Sequence, residues 1–559
     1  MAVEAGGPKG AVLPDAQGAP PSLAPFARRS SGLVRDLSIG DAAWYGVLAA
    51  GAMFGLIFAF PTPQVTLPGL SLPVASLIAV VLMPAIFALY AGLGSAMPRM
   101  GGDYLYQSRA AHPALGFSVI FAWECFMWAA FTIVSALVIG TLGLQPLLYN
   151  LGVRLHSSAL IDAGTWFGSV TGLFVLSVFA TFFGLTICAL GMRVYRTFQR
   201  YVLIPAIVIT NVLLIVLLAR SHGSFISNFN SFHEAATGDK NFAATVQAAA
   251  AKGGYKTPGF SLWHSFLFLS VTGTFWYVMY AAQGLLGETK QAGNFGRLFK
   301  AFCWGGFYLG IIAWVIPTFL FEHAVGRDFM SAYASAYSAG SIAEPAGANM
   351  ASFAMMMTSS PIIAILLSLG FVFGGLYYVC SVFLNMSRVM AAMGMDRTLP
   401  DWFSRVSQRF HAPVNAAVFF ACLTLVLDVL YRYGHANLKT VILFGGAFTG
   451  VGVVAFTGIA GVLFPWRAKQ VHDVSPVARY RVFGIPLIAV AGAVAVLASG
   501  TVTVLNLAEP ALGFTSRGGR ILLLASIALS LCWYFAYGAW LKRRHGIDRG
   551  LSFREIPPE

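Results

Sequence analysis

Twelve long apolar stretches with almost no charge inside them limit what this 559-residue chain can fold into. They lie near 42–60, 73–97, 115–140, 163–189, 198–220, 263–286, 300–321, 360–392, 414–432, 439–464, 484–506 and 519–541. A bilayer's hydrocarbon core is about 30 Å thick, and about 20 apolar residues of helix cross it. The mean hydropathy is +0.74 and only 10% of residues are charged, so a water-soluble domain would have no interior large enough for this surface. The runs are continuous rather than alternating, which predicts helices and not a β-barrel. The expected fold is all-α and integral to the membrane, with about twelve transmembrane helices, called spans 1–12 below.

The net charge of +14 would suit a nucleic-acid partner if it were gathered on one surface. It is not. With the N-terminus in the cytoplasm, 25 of the 35 Lys and Arg residues fall on cytoplasmic segments and ten, including Arg154, Arg220 and Arg327, on outer ones. This asymmetry is the positive-inside bias; it predicts both termini cytoplasmic, a plasma-membrane location, and basic residues facing anionic lipid rather than nucleic acid. Residues 1–37 read as a disordered cytoplasmic tail and 546–559 as a second cytoplasmic tail. Arg28-Arg29 resemble the start of a twin-arginine signal, but an uncleaved first helix is expected, because the first apolar stretch has full span length. The outer connector 221–262 is rich in Ala and Gly and reads as a spacer. All six cysteines fall within spans without metal-ligand spacing, so no metal, cofactor or disulfide is expected. No phosphate loop or hydrolytic triad appears, which argues against an enzyme.

Two spans look interrupted. Span 1 carries Gly46, Gly51 and Gly55 and runs into Phe60-Pro61-Thr62-Pro63; span 6 carries Thr272-Gly273-Thr274 ahead of Phe275-Trp276-Tyr277. Small residues in membrane helices often serve only close packing. Here, however, the interruptions open two successive groups of five spans, the arrangement of transporters built from inverted repeats with broken helices at the midplane. Free N–H groups at a half-helix start favour a carboxylate, and free carbonyls favour an ammonium or a cation.

The connectors add a resemblance. Met97-Pro98-Arg99-Met100-Gly101-Gly102-Asp103-Tyr104 with Pro113-Ala114-Leu115-Gly116-Phe117 is similar to the segment between helices 2 and 3 of the amino acid–polyamine–organocation transporters. Gly287-Glu288-Thr289-Lys290 resembles that family's close of helix 6. Ser387-Arg388 through Met393, then Asp396-Arg397-Thr398-Leu399-Pro400, resembles its segment after helix 8. The resemblance covers about 38–545. It implies a five-plus-five inverted repeat (about 42–220 and 263–464), two further helices (about 484–541), and an amino acid or amine moved by alternating access. An organic-cation or polyamine antiporter or exporter, and a non-transporting nutrient sensor, are the alternatives. Ala50, Gly51, Ala52, Met53, Phe54 and Gly55 are expected to hold the substrate carboxylate. The backbone of Thr272, Gly273, Thr274, Phe275, Trp276 and Tyr277 is expected to hold its amine, with Phe275–Tyr277 as a gate or side-chain pocket.

Proton or sodium is the expected coupling ion. Glu124 reads as the only acid deep in a span, nine positions from Leu115 and near the midplane. A charge there costs on the order of 3 kcal/mol, so an intramembrane acid is a functional candidate by default; the plainer reading is a neutral acid satisfied by a nearby carbonyl. Ser381 in span 8 is expected to offer a hydroxyl to a sodium site beside span 1. Asp428 and Arg432 read as a structural i,i+4 pair at the outer interface, and Arg388 as reaching the cytoplasmic surface.

Overall fold

The computed structural model describes residues 33, 35–50, 55–279, 284–509 and 517–554. Among the described residues ten helices are long and apolar enough to cross a membrane: Leu72–Ala96, Pro113–Leu155, Val170–Leu190, Met192–Leu218, Phe295–Val325, Pro361–Met395, Val414–Tyr433, Phe448–Arg467, Leu487–Ala508 and Gly518–His545. The two remaining predicted spans, 1 and 6, are the ones divided into short pieces. Large apolar side chains point away from the protein on many helices, as at Val81, Leu497, Leu524 and Leu529. Hydrocarbon around the molecule accounts for that surface; water does not.

Local chemistry explains much of the helix geometry. Four segments among the described residues wind as π-helix. Three of them lead into a proline in the next α-helical turn: Val138–Leu144 before Pro146, Gln199–Leu203 before Pro205, and Tyr308–Val315 before Pro317. Proline has no N–H to donate and its ring crowds the carbonyl four residues back, so the ladder widens just ahead of it. The fourth, Ile120–Phe126, has no such proline and contains Glu124. Close helix contact comes from glycine: a β-carbon on Gly458 would lie 2.8 Å from the Gly492 carbonyl oxygen, which binds span 10 to span 11 backbone to backbone.

The three connector motifs meet on one face of the bundle. Gly101 has φ +103° and sits against Ala392; Gly287 sits against the Met100 backbone. The Arg109 guanidinium makes two bonds to Asp396, of 2.6 and 2.8 Å, and the Tyr104 hydroxyl donates to the same carboxylate at 2.8 Å. Leu37, just before span 1, donates its N–H to the Glu288 carbonyl and accepts from the Lys290 N–H. The C-terminal segment Arg549–Arg554 returns to this face, where Phe553 lies under Arg109 and the Ser552 carbonyl accepts from it. Residues 1–32 and 555–559 of the predicted tails lie outside the described residues.

Two expectations about single elements need correction. Arg388 does not reach the surface; its side chain is fully buried and bonded to Glu288 at 2.7 Å. Its position about two turns before the end of the 35-residue helix Pro361–Met395 turns it inward among helices. The connector 221–262 is not a spacer. It folds into helices His222–Thr237 and Phe242–Lys252, started by the Ser221 hydroxyl accepting from Ser224 N–H, with Gly238 at φ +83° closing the first. Phe225, Phe229, Phe232 and Val246 form its inner stripe, at helical spacing that the Ala-rich composition obscured.

Candidate functional site

Span 1 starts with a capping box. Ser38 Oγ accepts from the Asp41 N–H, and Asp41 reaches back to the Ser38 N–H. The α-helix runs from Ile39 to Ala49, with Ala50 as its buried C-cap. The predicted carboxylate residues Gly51, Ala52, Met53 and Phe54 lie outside the described residues. The chain resumes as a 3-10 turn from Gly55 to Phe58 and a short helix, Thr62–Thr66. Span 6 changes winding at the predicted place: α-helix ends at Thr272, and a 3-10 segment runs from Gly273 to Met279.

The pieces of spans 1 and 6 touch each other. Gly46 lies so close to the Val278 carbonyl that any β-carbon there would overlap it. Thr272, Thr274, Phe275, Trp276 and Tyr277 are all buried, but they face different neighbours. The Thr272 hydroxyl donates to the Ala75 carbonyl at 3.3 Å and Trp276 Nε1 to the Ala79 carbonyl at 3.1 Å, which clamps span 6 onto span 2. The Thr274 hydroxyl returns to the Val271 carbonyl, and Phe275 packs on Trp314 of span 7. Tyr277 reaches toward span 3, where its ring lies 6.1 Å from that of Trp128. Its hydroxyl end abuts Gly450 of span 10.

Glu124 is fully buried in the π-helical stretch of span 3, four residues before Trp128. The Thr449 hydroxyl of span 10 donates to the neighbouring Trp123 carbonyl at 2.9 Å. Asp103 accepts from the Tyr90 hydroxyl at 2.8 Å and from the Thr457 hydroxyl. Ser381 sits beside span 1: its carbonyl accepts the Tyr45 hydroxyl at 2.6 Å, while its own hydroxyl donates to the Tyr378 carbonyl.

Glu124 is not alone as a deep acid. Asp428 does not pair with Arg432; it is buried, and accepts from the Thr132 hydroxyl at 2.9 Å and the Thr181 hydroxyl at 3.4 Å. Arg432 turns to Thr171 and the ring of Tyr433. Four residues separate the two on the helix, yet the pull of two hydroxyls from spans 3 and 4 sends Asp428 inward. Sequence reasoning also missed a tyrosine chain joining spans 1, 5 and 8. Tyr195 donates to the Tyr377 hydroxyl at 2.6 Å, and Tyr377 to the Tyr45 carbonyl at 2.9 Å. A buried phenol needs a partner, but these partners lie far apart in sequence.

Comparison with known proteins supplies the family. A crystal structure of MhsT in complex with L-phenylalanine superposes with a TM-score of 0.48 at 14% identity, over 83% of this chain and 97% of that one. The sequence matches none of the curated proteins with which it was compared. The amino acid permease family model matches residues 46–534, which reach from within span 1 to within span 12. The chain belongs to the amino acid permease family of membrane transporters.

Proposed function

We propose that this protein moves an amino acid, or a related amine, across the plasma membrane by alternating access, as a carrier and not an enzyme. One observation carries the reading: the α-helical winding lapses on two spans that touch each other, at Ala50 and at Gly273. Backbone polar groups released in hydrocarbon must be met by protein, water or ligand, and paired breaks in corresponding spans are where transporters bind substrate. The substrate carboxylate lies at Ala50–Gly55, and its amine and side chain at Thr272–Tyr277, with Tyr277 and Trp128 as the wall toward Glu124. Glu124 carries the coupling proton. The hairpin His222–Lys252 faces outside and both termini face the cytoplasm, as the basic asymmetry requires.

The test is uptake. The purified full chain in proteoliposomes is challenged with labelled amino acids and with polyamines, under an imposed pH gradient. Accumulation of an amino acid supports the reading; binding without accumulation makes the protein a sensor, and amine-only uptake makes it a cation carrier. A β-carbon added at Gly273 would have Val451 and Trp276 as neighbours, the nearer at 3.4 Å. Alanine fits there and leucine does not, so Gly273→Ala retains uptake while Gly273→Leu loses it.

A further inference from the structure

A polar pocket lies beside the segment that leads from the hairpin into span 6, and none of its lining residues belongs to the Gly46–Val278 contact of spans 1 and 6. It lies between the resumed piece of span 1, Thr62–Thr66, and the helix Arg327–Ser338, and it has a volume of about 30 Å³. Its polar walls are Gln64, Glu322, Arg327, Asp328 and Ser331, with Phe260 beside them. Glu322 is fully engaged: it accepts from the Leu72 N–H at 2.6 Å, the Ser71 hydroxyl at 3.2 Å and Arg327 Nε at 3.0 Å. Those bonds aim the guanidinium, whose carbon stands 5.6 Å from the Phe260 ring centre. The bond to Glu322 uses Nε, so both terminal nitrogens remain available among the described residues.

Gln64 gives the second, independent observation. Its side chain is 6% exposed, yet neither Nε2 nor Oε1 has a hydrogen-bond partner among the described residues. A buried amide left unmatched costs about 1–3 kcal/mol for each polar group. A carboxamide in the wall of a pocket, lacking both an acceptor and a donor, is matched by a ligand that brings one of each.

We propose that this pocket binds the head group of an α-amino acid before it enters the path between spans 1 and 6. The ligand carboxylate meets the terminal nitrogens of Arg327 and Nε2 of Gln64; the ammonium meets Asp328 and Oε1 of Gln64. A plain carboxylate would be repelled by Asp328, and a plain amine would leave the Arg327 nitrogens and Gln64 Nε2 without a partner. A zwitterion matches Arg327, Asp328 and both ends of the Gln64 amide at once. A water needs roughly 10–15 Å³ of such space, so the pocket takes a head group and leaves the side chain outside. Selection of side chains then falls to the inner site. This inference rests on the amino acid reading of the preceding subsection.

The test separates the two claims by side. Oriented proteoliposomes are assayed with labelled L-alanine, L-leucine, L-phenylalanine, L-lysine and L-glutamate for entry from each face. For the amino acid that the parent protein carries, Gln64→Leu and Asp328→Asn are expected to raise KM at least fivefold from the hairpin face. Vmax stays within twofold, and KM from the opposite face is unchanged. Asp328 is exposed, so its variant keeps the fold even if Gln64→Leu does not. Unchanged KM from the hairpin face with intact uptake overturns the pocket alone, as does an equal loss from both faces. Failure of the parent to carry any amino acid, in the five or in the wider set of the preceding test, overturns the amino acid reading, and the pocket with it.

Discussion

Removing Arg388 is expected to be the most damaging single change in the motif region. Its side chain is 0% exposed and that of Glu288 2%, with Nε 2.7 Å and Nη2 3.4 Å from the two carboxylate oxygens. Nη1 also donates to the Ser387 hydroxyl and approaches Cys188 Sγ at 3.6 Å. Arg388→Met keeps much of the stem volume but leaves Glu288 charged in a dry site. Loss of one partner of a buried pair costs about 3–5 kcal/mol, which at about 1.4 kcal/mol per decade is more than a hundredfold in the folding equilibrium. The double variant Arg388→Met/Glu288→Gln removes both charges, and its cost is expected to fall to about 1–2 kcal/mol, since neutral replacements of a buried pair are tolerated. Unfolding by SDS in mixed micelles, followed by tryptophan fluorescence, gives both values on one scale. If Arg388→Met lies within about 1 kcal/mol of the parent, or if the double variant is worse than either single one, the pair does not hold the ends of spans 6 and 8 together.

Three other outcomes are expected. Gly46→Ala places a β-carbon into the Val278 carbonyl and should cost at least about 1–3 kcal/mol by overpacking, whereas Gly40→Ala, whose nearest neighbour is 3.7 Å away, should match the parent in thermal unfolding. Glu124→Gln should retain substrate binding and exchange but lose uptake driven by a pH gradient; concentrative uptake at the parent rate would remove Glu124 from coupling. With Cys422 and Cys532 replaced by serine, a cysteine at exposed Lys240 should react with an impermeant thiol reagent on intact cells and one at Gln408 should not. The reverse pattern would invert the topology.

The parts of the fold legible in the sequence are those whose cause is local. Apolar length gives a span because a helix meets its own backbone hydrogen bonds, and Gly273 marks the end of α-helix in span 6 because the residue type weakens the ladder where it stands. The connector motifs could be read, but their purpose could not. Gly101 is needed for a positive φ and for room beside Ala392, nearly 300 residues onward, and Glu288 is matched by an arginine 100 residues away. The same limit explains the errors. Helical spacing pairs Asp428 with Arg432, while the hydroxyls that hold Asp428 belong to spans 3 and 4.

Glu124 shows where local and distant causes separate. Its depth follows from counting along span 3. The π-helical winding around it does not, because the proline that explains the other three π segments is missing here. A π-bulge is less stable than the α-helix it replaces and persists where something outside the helix holds it, often at a functional site. The groups in reach are on spans 10 and 12: Thr449 bonded to the Trp123 carbonyl, the rings of Phe448 and Phe456 at 5.8 Å from Trp123, and the Leu523 carbonyl, which accepts from Trp123 Nε1 at 3.5 Å. Span 3 is therefore wound to fit spans 10 and 12 together at the level of Glu124, and both contacts are made by Trp123, the residue beside the acid.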